Sequence, residues 1–163
     1  MKAEEMTILD FTPENKQRRV SQINEPRNKT HVIALVPVEY LNHTWPDVKD
    51  EIERAVARSN GRWSIEFLYA AILNGQQQLW VAFDEDKNID GVGTTEVAYY
   101  PAKMMLAIQF LGGKNFNSWV WDMLEKFKQF GRDNNCHGIE ATGRPGFWKW
   151  LGQDGFDKSY VVY

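Results

Sequence analysis

The spacing of hydrophobic positions changes character several times along the chain, and each change predicts an element. His31 to Val36 is a continuous apolar run closed by Pro37, which reads as a buried strand. Thr44-Trp45-Pro46-Asp47 then looks like a helix start, with a capping hydroxyl, a proline in the first turn and an acid at the positive dipole end. Val48, Ile52, Ala55 and Val56 recur at three- and four-residue spacing, so this helix runs to about Ser59, and Asn60-Gly61 stops it. Ser64 caps a second helix carrying Phe67, Leu68, Ala71 and Ile72, which ends at Asn74-Gly75.

Beyond Gly75 the pattern becomes extended. Strands are predicted over 78–83, 89–99 and 102–111, separated by the polar turn 84–88 and by Tyr100-Pro101. After Gly112-Gly113 a long amphipathic helix starts near Asn117 or Ser118 and passes through Trp119, Val120, Met123, Leu124, Phe127 and Phe130 to about Asp133. A strand over 136–142, a short helix over 145–151 and a last strand over 158–163 complete the order βαα-βββ-α-β-α-β. That order predicts an α/β (α+β) fold, a mixed and mostly antiparallel sheet flanked by helices, in a single domain over 30–163. Residues 1–29 mix charge with scattered apolar positions and two prolines. They read either as a flexible arm or as an arm that orders against a partner or the domain surface.

Composition narrows the function classes. Nineteen basic residues against 22 acidic ones leave a net charge of −3, without the basic excess of a dedicated nucleic-acid binder. The single Cys136 excludes an intrachain disulfide. No stretch is apolar and long enough to act as a signal core or to span a bilayer, which predicts a soluble chain with no membrane partner. Cys136 and His137 are adjacent on a strand and point to opposite faces, and His31 and His43 lack ligand-like neighbours, so no metal is expected. Seven Trp, six Tyr and nine Phe are many for 163 residues, and most fall in predicted elements where a core absorbs them. Trp45, Trp63 and Phe147 instead sit at helix starts or loops, and are the aromatics to examine first for a partner surface.

Two features carry a resemblance. Gln109-Phe110-Leu111-Gly112-Gly113-Lys114 leads from a strand into a helix, and Gly155-Phe156 follows the last predicted helix. With the element order, they resemble the GNAT acyltransferase superfamily over residues 30–163. More narrowly, Trp45-Pro46, Gly61-Arg62-Trp63-Ser64, Leu79-Trp80-Val81-Ala82, Thr95-Glu96, Tyr100-Pro101, Gly112-Gly113 and Gly143-Arg144-Pro145-Gly146-Phe147 are similar to pieces of small GNAT-like proteins of tailed phages and prophages.

The superfamily resemblance implies a coenzyme site. In the family, backbone amides of a Q/R-x-x-G-x-G/A loop hold the pyrophosphate of acyl-coenzyme A, because the unpaired N–H groups and dipole of a helix N-terminus favour an anion. Gln109 and Gly112 match that loop, with Gly113, Lys114, Ser118 and Arg144 beside it. Lys114 stands where a glycine or alanine is expected, and its ammonium offers a point charge to phosphate instead. The alternative is a strand-to-helix turn whose glycines only permit positive φ. Arg144 either grips a phosphate or carboxylate or braces its turn.

Catalysis is harder to place. The family's acidic tyrosine corresponds to Leu151, which has no proton to give. Glu140 and Glu96 are the candidate bases, each balanced against an ordinary ion-paired or solvated sheet glutamate. One strand fewer than usual follows the last helix, so the N-terminal arm or a partner supplies the missing strand, or an edge stays open.

Two functions follow. One is a phage-type GNAT-fold protein with a degenerate site, non-catalytic, acting as a virion, internal-virion or assembly component. It would work through protein partners or as a homo-oligomer, in the host cytoplasm or the virion. The other is an acyl-coenzyme A-dependent N-acyltransferase, moving acetyl from acetyl-CoA to an amine.

Overall fold

The computed structural model describes residues 4–11, 29–143 and 157–162. Its elements are β1 (Glu4–Asp10), β2 (Val32–Leu35), a 3-10 turn (Val38–Tyr40), α1 (Leu41–Val56), α2 (Ile65–Leu73), β3 (Gln77–Phe83), β4 (Ile89–Tyr99), β5 (Met104–Gly113), α3 (Phe116–Asp133), β6 (Gly138–Gly143) and β7 (Asp157–Val162). The strands are ordered β2-β3-β4-β5-β6-β1-β7. The pairs β2–β3, β3–β4, β1–β6 and β1–β7 are antiparallel and β5–β6 is parallel, so the sheet is mixed and mostly antiparallel, as the element order predicts. The expected short helix over 145–151 lies outside the described residues.

The chain divides into two compact units. A central unit comprises Lys29–Glu96 and Gln109–Lys126, and a terminal unit comprises Met1–Asn28, Val97–Ile108 and Phe127–Tyr163.

In the central unit the period-two alternation of β3 decides which side chains meet which helices. Leu79 and Val81, with Val92 of β4, pack against Leu41, Val48, Ile52 and Val56 of α1 and Leu68 and Ile72 of α2. Full burial of each such aliphatic side chain stabilises the fold by about 1.5–3 kcal/mol. The other face carries Trp80, whose Nε1–H donates to Thr95 Oγ1 at 2.9 Å, while the Thr95 hydroxyl donates to Gln78 Oε1.

α1 starts at Leu41, three residues earlier than Thr44, and takes Pro46 into its interior. Leu41 is the reason: it is buried in the same cluster as Val48 and Ile52, and that anchor draws the first turn N-terminally past the proline. Trp45 and Trp63 also differ from expectation. Both are partly buried against this core, Trp45 edge-on to Tyr69 at 4.9 Å and Trp63 edge-on to Phe110 at 6.4 Å. They are core margin rather than free surface, and Phe147 lies outside the described residues.

In the terminal unit β1, from the segment read as an arm, lies between β6 and β7. Ile8 pairs with Glu140 on one side and Asp157 on the other. Thr7 and Leu9 are buried, and Thr7 Oγ1 donates to the Ala141 carbonyl at 3.2 Å. Gly138 lets β1 approach, since a Cβ there would stand 2.2 Å from the Leu9 carbonyl oxygen. Phe11, just past β1, lies against Gly131, with the Arg132 guanidinium 4.4 Å from its ring centroid. The strand position left open in the sequence is thus filled by the chain's own N-terminal segment.

Candidate functional site

The segment expected to be a phosphate-holding loop is largely strand. β5 continues two residues past the predicted Leu111, through Gly113. Gly113 sits at φ 142°, and a Cβ there would stand 2.0 Å from the Asp90 carbonyl oxygen. Only glycine fits so close to β4 in that conformation. The next residue is tied at both backbone ends: Lys114 N–H donates to Asp90 O at 2.7 Å, and its carbonyl accepts from Trp119 Nε1 at 2.6 Å. Asn115 follows with φ 52°, its carbonyl accepts from Ser118 N–H at 2.8 Å, and α3 begins at Phe116.

Trp119 reaches Lys114 because its ring lies on Gly91, where a Cβ would stand 2.3 Å from the indole. Gly112 is less constrained: a Cβ there would be 3.5 Å from Glu51 Oε2, an ordinary contact. That contact also means that a carboxylate stands beside the glycine expected to approach phosphate. Ser118 is exposed, and its carbonyl accepts a long bond from Thr30 Oγ1 at 3.5 Å.

Asp90 organises this junction. Its Oδ2 accepts from His31 Nε2 at 2.9 Å and from Asn115 Nδ2 at 3.3 Å, while Thr30 Oγ1 lies 2.7 Å from His31 Nδ1. The His31 hydrogen bond holds the Asp90 carboxyl below the ordinary carboxylate range. Partial burial opposes that shift, and the Asn115 bond and the charges of His31 and Lys114 add to it. The junction therefore carries an ionised carboxylate of its own. Neither Asp90 nor His31 stands out in the sequence, because the bond joins residues 59 positions apart.

Gln109 is turned to a different use. Its Nε2 donates to Glu96 Oε2 at 3.4 Å, and Glu96 also accepts from Gln76 at 2.9 Å and Gln77 at 3.1 Å. The structure thus brings Gln109 and Glu96 together, with Glu96 as an acceptor for three amides. Gln77 is buried, and its amide oxygen has no partner among the described residues.

In the terminal unit the other candidate base, Glu140, is 7% exposed on β6. Tyr100 Oη donates to Glu140 Oε1 at 2.5 Å. A buried carboxylate with a phenol on it is a proton-handling pair in chemical type. Tyr100 was visible in the sequence only as part of a turn dipeptide, 40 residues from its partner. Cys136 is buried, which pushes its thiol pKa up and leaves it an inert thiol. Arg144 lies outside the described residues. Among the described residues no three His, Cys, Asp or Glu side chains are grouped as a metal centre requires, and no helix is long and apolar enough to cross a membrane.

No protein-family model and no curated protein matches the chain. Solved structures do. AAC(6')-Iy, in complex with the bisubstrate analog CoA-S-monomethyl-acetylneamine, superposes with a TM-score of 0.60 at 10% identity, over 82% of this chain and 95% of that one. A predicted acetyltransferase from Clostridium acetobutylicum, solved with acetyl-CoA, gives 0.54 at 12% identity, over 75% and 88%. A protein of unknown function from Staphylococcus epidermidis ATCC 12228 gives 0.56 at 14% identity, and this chain covers 59% of its length. At such identities the likeness is one of fold, and the fold is that of GNAT-type acetyltransferases.

Proposed function

We propose that this chain is a GNAT-fold protein whose acyl-coenzyme A site is degenerate and which acts by binding protein partners. One observation carries the reading. The residues aligned with the coenzyme loop are engaged within the protein: Gln109 on Glu96, Gly113 and Lys114 on the Asp90 backbone, and Lys114 again on Trp119. The same junction presents Asp90 and, beside Gly112, Glu51. Asp90 is held by His31 and Glu51 by Arg54, and the Lys114 N–H that a pyrophosphate would need already donates to the Asp90 carbonyl, so the residues present do not fit that group at the expected place. The phage-like sequence pieces support a virion, internal-virion or assembly component, in the host cytoplasm or the particle.

Calorimetric titration with acetyl-CoA tests this reading. No saturable heat and no thermal stabilisation at millimolar ligand is the expected result. Micromolar binding lost in Gly112→Trp overturns it. For the phage role, peptides of this chain are expected in purified particles by mass spectrometry, and their absence removes the virion part of the proposal.

A second reading, N-acyl transfer to an amine, is favoured by the Tyr100–Glu140 pair and by relatives in fold solved with acetyl-CoA or a CoA analog. In it the amine nitrogen would bond to the acetyl carbon as its bond to sulfur breaks, Glu140 taking the amine proton and the Tyr100 hydroxyl giving one to the departing coenzyme A thiolate. Acetyl transfer to a polyamine mixture that falls at least tenfold in Glu140→Gln is the result that selects it.

A further inference from the structure

We propose that β2 is a self-association edge, through which two copies of this chain pair antiparallel about a two-fold axis at Ala34. β2 ends the strand order, so among the described residues only β3 pairs with it. Val36 N–H donates to the Leu79 carbonyl at 2.8 Å, which sets the parity of the edge. Val32 and Ala34 direct their backbone groups towards β3 like Val36, and Ile33 and Leu35 direct theirs outwards. Natural edge strands are usually blunted by a charge, a proline or a bulge, and Val32-Ile33-Ala34-Leu35 contains none of these.

Exposed apolar side chains lie along this edge and in the turn that follows it. Val32 is 67%, Leu35 40%, Val38 43% and Tyr40 62% exposed, four large apolar groups within nine residues.

A second copy fits this edge better than an arbitrary strand because the segment is complementary to itself. With the axis at Ala34, Ile33 of each copy faces Leu35 of the other, and their outward groups make four interchain hydrogen bonds. No charged residue lies between Val32 and Val38, so the paired strands meet without repulsion. The exposed flanks complement one another: Lys29 lies five residues before Ala34 and Glu39 five after, so each copy's lysine falls at the end of the pair that carries the other's glutamate. Four backbone bonds and a few side chains make a small interface, which belongs to the weak, reversible class.

Sedimentation velocity on the full chain tests the proposal. The weight-average mass should rise from monomer towards dimer between about 1 and about 500 µM, the range of a small reversible interface. The variant Val32→Lys/Leu35→Lys, at exposed positions, should stay monomeric with an unchanged unfolding midpoint, and Ile33→Pro, which removes an outward N–H, should also stay monomeric. Ala34→Cys in a Cys136→Ser background should give a disulfide-linked dimer on mild oxidation, because opposed residues of a non-hydrogen-bonded pair fall within bridging distance. A monomer mass at every concentration overturns the proposal. So does a dimer that survives both edge variants, or one in which Ala34→Cys does not cross-link.

Discussion

Replacing Asp90 by Asn keeps the shape of the side chain and removes its charge, which isolates the electrostatic part of the junction between β5 and α3. In the native protein Asp90 Oδ2 accepts at 2.9 Å from His31 and at 3.3 Å from Asn115, and its side chain is 14% exposed. Exchanging a charge-assisted bond for a neutral one halves its strength, so the substitution should cost about 1–2 kcal/mol at neutral pH. The pH dependence is the sharper test. The folded pKa lies below the ordinary carboxylate value, chiefly through the His31 bond, so between the two values the folded state binds fewer protons than the unfolded chain. Stability from this group is therefore complete above about pH 4 and is lost as pH falls through the folded pKa. Urea unfolding of both proteins at intervals from pH 7 to pH 2.5 should show a deficit for Asp90→Asn that is constant down to about pH 4 and then shrinks as Asp90 is protonated. A deficit independent of pH, or none at pH 7, would refute the role assigned to the ionised carboxylate.

Three further outcomes are expected from the close approaches. Gly91→Ala drives a methyl group into the buried Trp119 indole at 2.3 Å and should destabilise by about 2–4 kcal/mol, from overpacking and loss of the Trp119–Lys114 bond, read as a fall in urea midpoint. Gly138→Ala pushes the Leu9 carbonyl away from 2.2 Å and should loosen β1 first, so amide exchange at Thr7 and Leu9 accelerates more than at β3. Tyr100→Phe leaves Glu140 without its phenol donor and should cost about 1–2 kcal/mol, an effect absent in Tyr99→Phe, which is 77% exposed.

Much of the architecture is legible in the chain because it depends on short-range periodicity. The αα pair, the three-strand meander and the long α3 follow from spacing of apolar residues and from Asn-Gly stops, and the structure keeps each of them. Boundaries shift where a distant contact outweighs a local signal. The buried Leu41 moves the start of α1, and the close packing of Gly113 on Asp90, with the Lys114 N–H bonded to the Asp90 carbonyl, carries β5 through what reads as a loop. The place of β1 was only one of several options, since nothing in Glu4–Asp10 names β6 and β7 as its neighbours.

The candidate site divides along the same line. Glu96, Gln109, Gly112, Gly113, Lys114 and Glu140 can be picked out by residue type and position, because motifs are local. Their roles depend on contacts between residues far apart in the chain. Gln109 could equally face a phosphate or a glutamate, and tertiary packing puts it on Glu96. A Gly-Gly pair licenses both a phosphate loop and a close strand crossing, and the packing of Gly113 against Asp90, too tight for any Cβ, decides between them. His31, Asp90 and Tyr100 gain their chemistry wholly from partners 40 or 59 residues away. Sequence determines which groups are available and what secondary structure carries them. Tertiary structure decides which of those groups meet, since hydrogen bonds and charges act over a few ångströms of space whatever their separation along the chain.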